Sequence, residues 1–140
     1  MNLIIDIGNT RVKAAVFEKD RLVELFVFTR DELLDKVDLF LTKYQITHAI
    51  LSSVQILLEK EVHELQQKVS LMVLDAKTKV PFVNAYTTKD TLGVDRIALV
   101  SHASKTYPNQ NVLIIDAGTC ITYDYIKANK EYLGGAISPG

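Results

Sequence analysis

The sequence predicts an α/β fold in which one opening β-hairpin occurs twice. Residues 3–8 read Leu-Ile-Ile-Asp-Ile-Gly, and residues 113–118 repeat five of those six residues. Each copy runs from an apolar segment into Asp-x-Gly and then continues with alternating residues, the period-two pattern of a strand. Helical and strand patterns alternate between the two copies. The chain is therefore predicted to form one α/β unit and to begin a second, similar one.

Three strands and a helix are predicted to open the first unit. The hairpin supplies two strands, and residues 22–28 form the third. Thr29 and Glu32 fit a capping box, in which Thr29 is the N-cap residue and Glu32 reaches back to it. Apolar residues at helical spacing follow as far as Tyr44, which predicts the first helix.

The rest of the first unit alternates short strands and helices. Strands are predicted at residues 49–51 and 71–74, an irregular segment at 77–92, and a third helix at 94–105, ending before Pro108. A second helical stripe between the two short strands contains Val54, Leu58, Val62 and Leu65.

The restart of the pattern predicts two domains. Residues 1–110 form the first, and residues 111–140 form the opening of a second that the chain does not complete. Closely spaced glycines and a proline in the last seven residues are unusual for the end of a packed domain.

Composition excludes several classes of function. The net charge is −1, and Lys and Arg are scattered among Asp and Glu, which argues against direct nucleic-acid binding. No apolar run approaches the roughly 20 residues that span a bilayer. His48, His63 and His102 show no metal-ligand spacing, and no histidine is placed to activate Cys120. A single cysteine and the absence of a basic leader favour a reduced cytoplasmic protein.

The Asp-x-Gly hairpins suit the binding of phosphate groups. Gly8 and Asn9 tolerate positive φ, so the turn can present backbone N–H groups to anionic oxygens. Thr10 adds a hydroxyl, Lys13 a charge, and Asp6 a carboxylate suited to Mg²⁺. A Gly-Asn turn also occurs in plain hairpins. Repetition with the same aspartate favours two hairpins that hold one polyphosphate.

Residues 93–96 read Gly-Val-Asp-Arg at the start of the predicted third helix. Arg96 can bind a substrate carboxylate or hydroxyl through its planar fork, and Asp95 can accept the proton of an attacking hydroxyl. Gly93 would let a substrate approach the backbone. The alternative is an aspartate favoured by the helix dipole, with Arg96 on the surface. The pattern alone leaves both interpretations open.

Four segments together resemble the type III pantothenate kinases, a family of the actin, sugar kinase and heat-shock ATPase superfamily. They are residues 6–10, 92–96, 116–119 and 134–140, and their order and approximate spacing also match. The resemblance implies a ribonuclease H-like, actin-like ATPase fold, with a mixed sheet and flanking helices in the N-terminal lobe and the opening strands of a second lobe. It implies ATP-dependent phosphorylation of pantothenate to 4'-phosphopantothenate, the first step of coenzyme A biosynthesis.

The resemblance also implies roles for individual residues. Asp95 is the proton acceptor, and Asp116 binds K⁺ or NH₄⁺. Apart from the resemblance, Asp124 is the next candidate for the cation, and Asp6 is a candidate ligand of the Mg²⁺ that accompanies ATP. ATP contacts are implied for Asp6, Ile7, Gly8, Asn9, Thr10, Arg11, Val12, Lys13 and Thr119, and pantothenate contacts for Tyr86, Gly93, Val94, Asp95 and Arg96. A homodimer is implied. The adenosine site falls beyond residue 140, so the chain alone is expected to be inactive.

Three other functions remain open at this level. One is another small-molecule kinase of the same fold, such as a sugar or acetate kinase. A second is a Bvg accessory factor-like transcriptional regulator, against which the near-neutral charge argues. A third is a non-catalytic actin-like scaffold, which the presence of Asp6, Asp95, Arg96 and Asp116 disfavours.

Overall fold

A computed structural model describes residues 1–88 and 91–140. They form two compact units, Met1–Leu74 and Asp75–Gly140. Residues 89 and 90, part of the predicted irregular segment, lie outside the described residues. None of the described helices is long and apolar enough to cross a membrane. The predicted division after residue 110 concerns the lobes of a longer fold, and it remains a prediction.

The first unit is built on a mixed five-stranded sheet, as predicted. Its order is β3-β2-β1-β4-β5, with antiparallel pairing between β1 and β2 and between β2 and β3. The β1–β4 and β4–β5 pairs are parallel. The strands are β1 (Asn2–Ile7), β2 (Val12–Glu18), β3 (Arg21–Phe28), β4 (His48–Ser53) and β5 (Ser70–Val73).

Two helices and one face of this sheet enclose the core of the first unit. A 3₁₀ turn at Arg30–Glu32 leads into α1 (Leu33–Lys43), and α2 is Glu59–Lys68. Successive strand residues face opposite sides, so β1 directs alternate side chains into the core and Asp6 to the other face. The core is formed by Leu3, Ile5, Ile7, Val12, Ala14, Val16, Phe28, Leu33, Val37, Phe40, Ala49, Leu51, Leu65 and Val69.

The predicted capping box is present, with a variation in its bonds. The Glu32 carboxylate accepts hydrogen bonds from both the backbone N–H and the hydroxyl of Thr29, at 3.0 and 2.8 Å. These two bonds lower the pKa of Glu32, the backbone bond being the larger cause.

The predicted start of the second helix is wrong. Val54 and Leu58 precede α2, and Leu58 has extended backbone angles (φ −78°, ψ 131°). The Ser53 hydroxyl bonds both the N–H and the carbonyl of Gln55, which turns the chain after β4. The helix begins at Glu59. The Leu58 N–H, directly before it, donates to the Glu61 carboxylate at 3.2 Å.

The described part of the second unit contains one α-helix and a four-stranded sheet of order β6-β9-β8-β7. The β7–β8 and β8–β9 pairs are antiparallel, as in the opening meander of the first unit, and β6 runs parallel to β9. The elements are β6 (Val83–Asn84), α3 (Val94–Thr106), β7 (Val112–Ala117), β8 (Cys120–Ile126) and β9 (Glu131–Pro139).

The sequence pattern did not predict β6 or β9. Two glycines in β9 weaken the strand pattern in the sequence, because glycine is depleted in strands generally. Glycine is required at both positions because neighbouring residues approach the backbone closely. A Cβ atom at Gly135 would overlap the Tyr123 carbonyl of β8, and one at Gly134, whose φ is +96°, would overlap the Tyr86 ring.

Candidate functional site

The first hairpin has a four-residue turn between the paired residues Ile7 and Val12. The Gly8 N–H donates to the Arg11 carbonyl at 3.0 Å. Asn9, Thr10 and Arg11 are exposed. The turn therefore lies open to a ligand at the end of two well-buried strands.

Asp6 lies two residues before Gly8, the first residue of this turn, and it has polar neighbours. Its register partners are Lys13 on β2 and Ser52 on β4, so the three side chains share one face of the sheet. Ser52 is only 9% exposed, and its hydroxyl has no hydrogen-bond partner among the described residues. Such a buried donor and acceptor beside a carboxylate suits a hydrated cation or a phosphate oxygen.

The second hairpin is one residue shorter in its turn. Ala117 pairs with Ile121, which leaves three residues in the turn, and the Gly118 N–H donates to the Cys120 carbonyl at 3.0 Å. This shortening explains why Thr119 lies nearer to its glycine than Thr10 does to Gly8. Thr119 and Cys120 are exposed, as is Asp116.

Asp116 also has a buried hydroxyl beside it, but this hydroxyl lies on the second strand of its own hairpin, whereas Ser52 lies on β4. The register partner of Asp116 on β8 is Thr122, which is 9% exposed. The Thr122 hydroxyl also has no hydrogen-bond partner within residues 1–88 and 91–140. Each hairpin aspartate thus has a buried hydroxyl beside it on the neighbouring strand.

Arg96 is buried at the start of α3 and pairs with Asp124 of β8. Arg96 and Asp124 are 5% and 0% exposed. Arg96 Nε lies 3.0 and 3.1 Å from the two carboxylate oxygens, and Nη2 lies 2.6 Å from Oδ1. The hydrogen bonds that Arg96 donates to Asp124 are the main cause that raises the pKa of Arg96, which keeps the guanidinium charged.

Two tyrosines complete this cluster. The hydroxyl of Tyr132, a fully buried residue, donates to Asp124 Oδ1 at 2.5 Å and lies 3.2 Å from Arg96 Nη2. Burial, more than the nearby carboxylate, raises the pKa of Tyr132, so this phenol stays neutral. The Tyr86 ring lies 5.7 Å from the Arg96 guanidinium carbon and packs over Gly134.

Asp95 precedes Arg96 in the first turn of α3. Its Oδ1 atom accepts the Arg96 N–H at 2.8 Å, and its side chain is half-buried. A Cβ at Gly93 would overlap this same carboxylate oxygen, so glycine there leaves room for Asp95. Asp95 therefore lies at the N-terminal end of α3 with its Oδ1 atom held by the backbone of the next residue.

A family model for the type III pantothenate kinases matches residues 2–140. The chain belongs to the type III pantothenate kinase family. The type III pantothenate kinase of Christiangramia forsetii is 50% identical over 141 residues, which cover 100% of this chain and 58% of that protein. The one from Flavobacterium johnsoniae is 43% identical with the same coverage. The chain thus spans 58% of the length of these curated relatives.

Solved structures show the same fold at low sequence identity. A 2-dehydro-3-deoxygalactonokinase protein from Sinorhizobium meliloti matches with a TM-score of 0.55 and 9% identity, over 98% of this chain and 54% of that one. An N-acetylglucosamine kinase structure from Porphyromonas gingivalis gives 0.54 and 10%, over 97% and 47%. The predicted actin-like ATPase fold is confirmed.

The structure brings together two sets of the residues that the sequence predicts to bind ATP or pantothenate. Asp6 and Lys13 lie side by side at the first hairpin, and Tyr86 and Gly93 to Arg96 lie around the start of α3. The interpretation of Arg96 as a surface residue is wrong, since its side chain is buried against Asp124. Because its Nε and Nη2 atoms bind Asp124, only Nη1 has no protein partner among the described residues.

Asp124 and Tyr132 were missed as partners of Arg96. The sequence offered Asp124 as a second candidate cation ligand, but its buried carboxylate accepts from Arg96 and Tyr132 instead. A signal was present. Asp124 shares the buried face of β8 with Thr122 and Ile126, and a carboxylate on that face requires a cation or hydrogen-bond donors.

Proposed function

We propose that the full-length protein phosphorylates pantothenate with ATP, giving 4'-phosphopantothenate for coenzyme A biosynthesis. The observation that carries the proposal is the family match over residues 2–140, supported by 50% identity to a type III pantothenate kinase. Both Asp-x-Gly hairpins and the Gly-x-Asp-Arg segment are intact.

The first hairpin is proposed to bind the ATP phosphates. Its turn is exposed, and Lys13 and Thr10 add a positive charge and a hydroxyl. Phosphoryl transfer depends on positioning and charge neutralisation rather than on covalent chemistry, so a rigid turn on buried strands suits it. The full set proposed to contact ATP is Asp6, Ile7, Gly8, Asn9, Thr10, Arg11, Val12, Lys13 and Thr119.

The start of α3 is proposed to bind pantothenate. Asp95 would accept the proton of the attacking hydroxyl, while its Oδ1 contact with the Arg96 N–H holds the carboxylate in place. The Nη1 atom of Arg96 would bind the substrate, since its other polar edge is held by Asp124. Gly93, Val94 and Tyr86 would supply the remaining contacts.

Oxygen atoms of side chains at or beside the two hairpins fit the implied cations. Asp6 and the Ser52 hydroxyl would hold Mg²⁺, which neutralises triphosphate charge. Asp116 and the Thr122 hydroxyl would hold the monovalent cation, K⁺ or NH₄⁺. Each set combines a carboxylate with a buried hydroxyl, and oxygen ligands of this kind are suitable for a hard cation.

The homodimer that the family implies stays a prediction. The cytoplasmic location and the lack of nucleic-acid and membrane contacts, which were inferred from composition, also stay predictions. The transcriptional regulator and the scaffold gain no support from the relatives, which are named as kinases.

An acceptor assay on the full-length protein tests the proposal. With ATP and Mg²⁺, with and without K⁺, we expect phosphate transfer to pantothenate and none to hexoses or acetate. Transfer to a sugar or acetate alone would support another kinase of this fold. Sequence-specific DNA retention at physiological salt, without kinase activity, would support the regulator.

A further inference from the structure

The side chain of Gln55 joins the turn of the first hairpin to the loop after β4. Its Nε2 atom donates to the Gly8 carbonyl at 2.7 Å and to the Asn9 carbonyl at 3.1 Å. In a hairpin with a two-residue loop, the Gly8 carbonyl would accept a hydrogen bond from the backbone N–H opposite it on the second strand. Here a side chain 47 positions away provides the donor.

The fold brings Gln55 to this place by strand pairing. Strands β1 and β4 are parallel, so their carboxyl ends lie at the same edge of the sheet. The Val54 N–H donates to the Ile7 carbonyl at 3.1 Å, which extends the contact beyond the ladder. The Ser53 hydroxyl then holds the Gln55 backbone through two bonds, at 2.9 and 3.1 Å.

Peptide planarity converts these contacts into an orientation of the turn. In a trans peptide the carbonyl and the N–H point in opposite directions. Because the Gly8 and Asn9 carbonyls point toward Gln55, the N–H groups of Asn9 and Thr10 point away from it. In the described part of the chain, neither N–H has a hydrogen-bond partner. The same contacts hold the Gly8 and Asn9 carbonyl oxygens away from the side of the turn that these N–H groups face. Carbonyl oxygens on that side would repel an anion.

Arg30 fixes the other end of the Gln55 amide. Its Nη1 donates to Gln55 Oε1 at 3.0 Å, and its Nη2 lies 2.6 Å from Glu61 Oε2. Nη2 also donates to the Ile56 carbonyl at 3.0 Å. A charged donor on Oε1 polarises the amide and strengthens donation from Nε2. Both Arg30 and Glu61 are largely buried, at 24% and 19% side-chain exposure.

We propose that Gln55 is a positioning residue for the nucleotide phosphates. It aims the Asn9 and Thr10 N–H groups at them, and Arg30 holds Gln55 in the required orientation. The inference rests on the proposed function only in taking ATP as the ligand of this hairpin. It does not depend on the identity of the phosphate acceptor.

The test is the Gln55→Met variant of the full-length protein, which preserves side-chain length and removes the donor. The primary readout is the Kd of ATP by titration calorimetry with Mg²⁺ present, because it needs no acceptor. We expect about a fivefold to tenfold weaker Kd, the scale of one or two lost neutral hydrogen bonds. KM for ATP should rise likewise, whereas KM for pantothenate should stay within twofold of wild type.

Two further variants separate positioning from a loss of folding. Gln67→Met makes the same change at an exposed position of α2 and should alter neither the Kd of ATP nor Tm. Gln55→Glu keeps an acceptor for Arg30 but places a carboxylate oxygen against the Gly8 and Asn9 carbonyls, so it should lower Tm slightly and weaken ATP binding more than Gln55→Met does. This second variant decides the question if Gln55→Met fails to fold.

Wild-type ATP affinity in a folded Gln55 variant overturns the inference, as does an equal rise in the KM of both substrates. An absence of ATP binding to the wild-type protein overturns both this inference and the proposed function. If the wild type binds ATP in a Gln55-dependent manner but phosphorylates no pantothenate, only the proposed function fails.

Discussion

Arg96 and Asp124, 28 positions apart, form a buried ion pair with 2.6 Å between Nη2 and Oδ1. The pair joins the first turn of α3 to the middle of β8, and Tyr132 donates to the same carboxylate. Asp95, the proposed proton acceptor, adjoins Arg96 in the chain and binds its N–H. The position of Asp95, the proposed proton acceptor, therefore depends on the contact between Arg96 and Asp124 of the sheet.

Removing the charge of Asp124 should destabilise the protein strongly. Asp124→Asn leaves the Arg96 guanidinium buried without a counter-charge, and breaking a buried pair costs roughly 3–5 kcal/mol of the free energy of unfolding. Urea denaturation measures this. Glu131→Gln is the control, because Glu131 and its partner Lys127 are both partly exposed, and it should change stability little. A loss below about 1 kcal/mol at Asp124 would show that the pair is replaceable.

Gly134→Ala should displace Tyr86 from Arg96. The new Cβ would overlap the Tyr86 ring, and a φ of +96° is strained for any residue with a side chain. We expect a loss of roughly 2–4 kcal/mol in the free energy of unfolding, from strain and overpacking together. Gly118→Ala is the matched control, since its Cβ would lie 3.8 Å from the nearest atom. Equal stability of the two variants would contradict the close approach.

Acid stability should depend on Glu61. Its pKa is lowered from the ordinary 4.5, chiefly by the hydrogen bond from Arg30. The stability that this carboxylate contributes is thus present above about pH 4.5 and is lost as the pH falls through the folded-state pKa. Glu61→Gln should be less stable than wild type at pH 7, and the Tm difference should narrow below about pH 4.5. Glu59→Gln, on the same helical turn, serves as the control, and a Tm difference independent of pH would refute the effect.

Asp95→Asn should impair catalysis rather than folding. On the full-length protein, kcat for pantothenate phosphorylation should fall by roughly 10²-fold or more, the scale of a lost general base. Tm should change little, because an asparagine side chain can still accept the Arg96 N–H. Near-wild-type turnover would assign proton acceptance to another group.

Asp116→Ala should weaken activation by the monovalent cation. We expect the K⁺ concentration for half-maximal activity to rise more than about tenfold. Mutating a residue that only hydrogen-bonds to a metal ligand already weakens metal binding by about that factor. Thr122→Val, which removes the neighbouring buried hydroxyl, should shift it in the same direction. An unchanged K⁺ dependence in Asp116→Ala would move the cation site away from the second hairpin.

Most strands and both hairpins were predicted from local sequence patterns. Period-two alternation and a repeated Asp-x-Gly turn depend on neighbours a few positions away, and the structure confirms them at β1, β2, β7 and β8. The start of α3 at Val94 was likewise predicted. Strand β9 was not, because Gly134 and Gly135 lower its strand propensity, and the reason for them lies in Tyr86 and Tyr123.

By itself, the sequence therefore determined the family, the fold class and the order of the two aspartate hairpins. Only the tertiary structure decided which side chains hold those features in place. The sequence offered Asp124 only as a second candidate cation ligand, and nothing near it in the chain identified Arg96 as its partner. Gln55 lies 47 positions from Gly8, and only the parallel pairing of β1 and β4 brings the two together. Such contacts depend on how distant strands pair and on which buried charges must be neutralised, and neither is encoded within a short window of residues.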